Sequence, residues 1–171
     1  MEDSVKTATG EVQNQVVQAV AVSPDGRLIA TSDDYAFTVR IWDAKTGAEL
    51  HRMVAGNNET HRLSFSRDGS ILLGACYDGT ARLWDAATGR LIEEIPGFTG
   101  GLMDAMFLHD ERWIYLATVD GAVLWDRKLK KKALTMLSIA GHGWAVVAPD
   151  GRFDTSELDG GAPLNLSLIH I

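Results

Sequence analysis

Disulfides, membrane spans, long helices and an excess of positive charge are all missing from this chain. Its 171 residues include one cysteine, Cys76. No intrachain disulfide can form, and a reducing compartment is the simpler setting. No apolar stretch approaches the roughly 20 residues of a membrane span. The opening MEDSVKTATGEVQNQ, residues 1–15, lacks the basic and then apolar run of a signal peptide. Lys and Arg number 16 against 23 Asp and Glu, a net charge of −7. That balance speaks against broad nucleic-acid or anionic-membrane binding, which needs a positive field. No stretch keeps the i, i+3, i+4, i+7 spacing of a long amphipathic helix. The expectation is a soluble cytoplasmic segment, one domain or part of a larger one, able to bury a core.

Catalytic and ligand-binding patterns are equally scarce. The histidines are His51, His61, His109, His142 and His170. No two sit at metal-ligand spacing with a supporting cysteine or carboxylate, so no metal is expected. Cys76 ends the apolar run ILLGAC and reads as a core residue, not a nucleophile. No Gly-x-Ser-x-Gly elbow and no Gly-rich phosphate loop occur. GFTGG (97–101) follows a predicted strand and opens no helix. No catalytic residue and no cofactor are expected. RKLKKK (127–132) is the single strong charge run. As a solvated outer turn it needs no ligand; as a patch it suits an acidic partner or RNA.

What the chain does contain is a repeat. Trp-Asp occurs at Trp42-Asp43, Trp84-Asp85 and Trp125-Asp126, spaced by 42 and 41 residues. A second marker precedes each pair: SPDG at 23–26, SRDG at 66–69 and the weaker LHDE at 108–111; a fourth, APDG, occupies 148–151. Two markers keeping one period of about 40 residues point to a repeat architecture. Within each unit, apolar runs of strand length alternate with turns bearing Asp and Gly. Examples are AVAVS (19–23), LIATS (28–32), ILLGAC (71–76) and WIYLAT (113–118). The predicted fold class is all-β, with blades of four antiparallel strands.

On these motifs, SPDG, an Asp-bearing turn, Trp-Asp and then Thr-Gly, the chain resembles the WD-repeat β-propeller family over about residues 16–157. The resemblance implies about three and a half blades of an incomplete ring: 16–56, 57–97, 98–141 and a partial 142–157. A polar segment (1–15) precedes them and an irregular tail (158–171) follows. It also implies structural roles for Trp42, Asp43, Trp84, Asp85, Trp125 and Asp126. Asp78 and Asp120 are expected in a buried network with the tryptophan, a strand Ser or Thr, and the His of a Gly-His pair. The sequence departs from that pattern at Gly56-Asn57 and Gly97-Phe98; only Gly141-His142 keeps the pair. The second and third blades are therefore expected to lean on apolar packing.

The carboxyl end GHGWAVVAPDGRFDTSELDGGAPL (141–164) resembles the last blade of large bacterial WD-repeat proteins, some of which carry a caspase-like peptidase domain. A bacterial C-terminal propeller fragment is the expectation. From about Asn165, NLSLIHI resembles translated sequencing-adapter read-through. Function then belongs to surfaces. In the family, residues before the turn Asp and in loops leading to a first strand crown one face. Here these are Tyr35, Asn57, Asn58, Glu59, Tyr77 and Phe98, which become the candidate partner-binding residues; Phe98 also suits burial in place of the missing His. The implied function is a non-catalytic protein–protein interaction scaffold for a protein or peptide, without nucleic acid or membrane, and with self-association through open blade edges. The alternative is a regulatory segment of a multidomain enzyme, peptidase or kinase, with catalysis outside these residues.

Overall fold

The computed structural model describes residues 5–6, 12–13, 16–34, 36–108, 111–139 and 143–155. Every regular element among them is a strand. A short ribbon pairs β1 (Val5–Lys6) with β2 (Val12–Gln13). The first blade is β3 (Val17–Val22), β4 (Leu28–Asp33), β5 (Thr38–Asp43) and β6 (Glu49–Val54). The second is β7 (Thr60–Phe65), β8 (Ile71–Cys76), β9 (Thr80–Asp85) and β10 (Leu91–Ile95). The third sheet holds β11 (Leu102–Phe107), β12 (Trp113–Thr118), β13 (Gly121–Asp126), β14 (Lys131–Ile139), β15 (Gly143–Val147) and β16 (Phe153–Thr155). Strands pair antiparallel in sequence order in all three, and the sheets are open.

The repeated markers build repeated turns. The Ser23 hydroxyl donates to Asp25 at 2.7 Å and accepts the Leu28 N–H at 2.9 Å. Ser66, Asp68 and Ile71 repeat this at 2.7 and 2.9 Å. The turn closes on Gly26 and Gly69 at φ 71° and 75°, a left-handed conformation that glycine adopts without a Cβ clash. After each Trp-Asp, the carboxylate caps the next turn. Asp43 accepts both the N–H and the hydroxyl of Thr46 at 2.7 Å, and Asp85 accepts the same groups of Thr88 at 2.8 Å. Bulges also repeat: the register shifts once in each first strand, at Gln18, His61 and Met103, and once in each fourth strand, at Leu50, Ile92 and Ala133.

Period-two alternation makes the second blade apolar on both faces. Leu63, Leu72 and Trp84 face Ala30, Val39 and Ile41 of the first blade in one core. Leu73, Ala75 and Leu83 face Leu102, Ile114 and Leu116 of the third sheet in the other. Strands β3, β7 and β11 line up along the inner side, β3 against β7 and β11 against β7 and β8.

The expected partial fourth blade takes a different form. β15 and β16 add to the outer edge of the third sheet instead of opening a new one. Link length supplies a reason. Passing from an outer strand to the next inner strand crosses three strand spacings, about 14 Å. The first two links, 55–59 and 96–101, have five and six residues, but 140–142 has three, which is hairpin length. Tyr35, His109, Gly141-His142 and the tail 158–171 lie outside the described residues.

Candidate interaction surface

Antiparallel order sends the links between blades and the second-to-third-strand turns to one end of the sheets. In the second blade this end is tightly organised. The Tyr77 N–H donates to the Glu59 carbonyl at 2.8 Å, joining the turn after β8 to the loop before β7. The His61 ring stacks on Tyr77 with centroids 5.1 Å apart and planes at 17°. The Glu59 carboxylate lies 3.3 Å from His61 Nε2. Asn58 Oδ1 accepts the Glu59 N–H at 3.0 Å, and Asn57 is exposed. The Tyr77 ring keeps 44% of its residue surface in solvent. Of the six candidate residues, Asn57, Asn58, Glu59 and Tyr77 therefore come together, with His61 at the start of β7.

Phe98 does not join them. It is only 6% exposed and sits in the second core, with its N–H donating to the Gly79 carbonyl at 3.1 Å. As a partner-binding residue it is corrected: it fills the blade, the burial reading of the same residue. Tyr35 falls outside the described residues.

The expected network around the turn aspartates is replaced by arginine. Asp78 pairs with Arg82 Nη2 at 2.8 Å, and Arg82 also reaches Glu94 at 2.8 Å and the Ala55 carbonyl at 2.5 Å. In the first blade the matching Arg40 lies 3.3 Å from buried Asp33, which also accepts the Thr38 hydroxyl. The third sheet has Val123 at that position, and Asp120 is exposed, so its expected burial is corrected too. A buried cation can substitute for a His-centred network because it pairs a carboxylate and a carbonyl at once. The signal was present as TVRIW and TARLW, but which acid meets each arginine depends on the turn geometry.

Two of the Trp-Asp tryptophans, Trp84 and Trp125, pack between blades. Trp84 is buried against the first blade, and Gly74 makes room for it: a Cβ there would lie 2.8 Å from Trp84 Cζ3. Trp42 donates its indole N–H to Thr31 Oγ1 at 2.9 Å. Trp125 packs on the second core. Cys76 is fully buried, and burial pushes its thiol above the usual range, which keeps it protonated and poorly nucleophilic. Among the described residues no three His, Cys, Asp or Glu side chains are placed to hold a metal ion, and no helix is long and apolar enough to cross a membrane.

The WD domain, G-beta repeat family (WD40) matches residues 3–43 and 50–85. Those residues carry WD40 repeats. The first begins at residue 3, inside the segment read from the sequence as a polar opening. Periodic tryptophan protein 2 homolog of Schizosaccharomyces pombe is 24% identical over 166 residues, 96% of this chain and 18% of that protein. Ribosome assembly protein 4 of Chaetomium thermophilum is 32% identical over 69 residues, 39% of this chain and 13% of that protein. The chain thus spans less than a fifth of either relative, and both are fungal, so they lend no support to a bacterial source. Among solved structures, the crystal structure of RRP9 WD40 repeats superposes with a TM-score of 0.63 at 13% identity, covering 85% of this chain and 52% of that one. That likeness establishes the fold. WD40 domains generally mediate protein interactions.

Proposed function

We propose that these repeats form a non-catalytic interaction scaffold that receives a protein or peptide partner at the link-bearing end of the second blade. The observation that carries this reading is the exposed Tyr77 ring, stacked on His61, on a backbone whose N–H donates to the Glu59 carbonyl. An immobilised aromatic offers large contact area at little entropic cost, the property of an interface anchor. The segments 34–37, 55–59, 77–79, 96–101 and 119–120 at this end carry Asp34, Glu59, Asp78 and Asp120 and no Lys or Arg. That charge favours a partner surface with basic groups and disfavours nucleic acid and anionic membrane. Similarity to a relative named for ribosome assembly supports work within a multi-component assembly. The buried free thiol of Cys76 suits a reducing compartment such as the cytoplasm.

The test compares affinity capture by the parent chain and by an Asn57→Ala/Glu59→Ala/Tyr77→Ala variant, with quantitative mass spectrometry. A discrete partner lost from the variant, at unchanged thermal stability, is the expected result. Equal recovery by both chains would overturn the placement.

A further inference from the structure

The end of the blades opposite the Tyr77 rim carries a second feature that the rim does not use. The turn from β13 to β14 reads Arg127, Lys128, Leu129, Lys130, Lys131 and Lys132. Two of its neighbouring acids are already committed. Asp126 is buried, accepts from Arg112 Nη2 at Oδ2 at 2.5 Å and accepts the Lys128 and Leu129 N–H groups at Oδ1 at 2.9 and 3.0 Å. Glu111 accepts the Arg67 N–H at 2.7 Å. Among the described residues none of the four lysines is ion-paired.

Two arginines beside them are set in place. Arg127 lies 5.5 Å from the Phe107 ring centroid and donates to the Glu111 carbonyl at 3.1 Å; Arg112 lies 4.6 Å from the Trp113 centroid. They flank an open groove of about 390 Å³, whose wall also includes Lys128, Glu93 and Glu111. Leu129 stands among the lysines with 55% of its surface exposed. The turn also holds Lys130 at φ 51°, where the matching turns place Gly47 and Gly89. A lysine keeps backbone strain there that glycine would relieve.

We infer that this turn and the adjoining groove are a docking site for a short acidic peptide segment of a partner protein, one that brings an apolar residue to Leu129. The four lysines, which have no carboxylate of their own, provide the charge, Arg127 and the Asp126-paired Arg112 frame the groove, and a compact patch matches a short segment. A nucleic acid fits less well. The neighbouring rings are covered, Trp113 by Arg112 and Phe107 by Arg127, so bases find no free stacking face. An extended polyanion would also meet a chain of net charge −7.

The test uses the full chain and fluorescence anisotropy with a ten-residue peptide of Asp and Glu around one Leu, beside a ten-nucleotide oligouridylate. Lys128→Glu/Lys130→Glu/Lys131→Glu is compared with Arg27→Glu/Lys45→Glu/Arg90→Glu, the same charge change in turns of the other blades. Thermal melts confirm that both are folded, and Lys128→Gln/Lys131→Gln is the milder substitute if the first is not. The expected result is peptide binding weakened roughly tenfold or more by the patch variant and less than about threefold by the control. The parent binds the oligouridylate more weakly than the peptide, and Tyr77→Ala changes neither. The inference is overturned by absence of peptide binding, by equal weakening in both variants, or by tighter oligouridylate binding.

Discussion

Single residues carry much of the blade geometry, and their costs are measurable. Gly74 lies where a Cβ would press on the Trp84 ring and also come within 3.2 Å of Thr60 Cγ2. Gly74→Ala is expected to destabilise the chain by about 1–3 kcal/mol, since overpacking forces side chains off their rotamers; urea unfolding checks it. Lys130→Gly should act oppositely, raising stability by roughly 0.5–1 kcal/mol by relieving the left-handed lysine, net of the entropy that glycine adds to the unfolded chain. Asp68 supplies a pH signature. The Ser66 hydroxyl, with the Ser70 N–H and hydroxyl, lowers its carboxyl to about 2. A depressed folded value means stability that is present above the unfolded value of about 3.9 and lost as pH falls through about 2. Melting temperature followed from pH 5 to pH 2 should fall less steeply in Asp68→Asn than in the parent.

At the scale of elements, the arginine that replaces the expected polar network fixes the turn after β8. Arg82 is nearly buried and bridges Asp78, Glu94 and the Ala55 carbonyl. Arg82→Ala should cost about 1–2 kcal/mol, because it leaves the carbonyl of buried Ala55 without that donor and removes the bridge to Asp78. Arg82→Ala with Asp78→Ala should cost less than the sum of the single changes, which a double-mutant cycle measures. The strands themselves were legible because their markers act locally: the Ser-x-Asp-Gly turn and the Asp of Trp-Asp bond to residues two to five positions away. Arg82 was not legible, because its Ala55 acceptor lies 27 positions back and only the fold brings it near. Nor was the pairing of β14 with β15, which follows the length of the link and not a motif. The proposed rim was only partly visible in the loop pattern. Tyr77 and Glu59 were found from the loop pattern, His61 was missed because a bulge turns it onto Tyr77, and Phe98 was drawn inward by the core.

At the scale of the molecule, the blades are stable as a stack and not singly. Each buries its faces against neighbours, which is why the same phrase recurs. The outward face of the first blade presents Val20 and Val22, each 58% exposed, at the places where the second blade has the core residue Leu63 and Phe65 packed against that core. Contiguous apolar surface with open strand edges promotes association. The 171-residue chain expressed alone should therefore run larger than 18.6 kDa in light scattering after gel filtration, and Val20→Lys/Val22→Lys should shift it toward the monomer. Such association leaves the rim and the basic turn free, since both lie at the ends of the blades.

The central claim is that partners are received at the Tyr77 rim. Photocrosslinking tests it most directly, with benzoylphenylalanine placed at position 77 or, as a control, at position 45 in the outer turn after β5. A discrete heterologous adduct from position 77 and none from position 45 is predicted. Adducts from position 45 alone, or equally from both, would contradict the account.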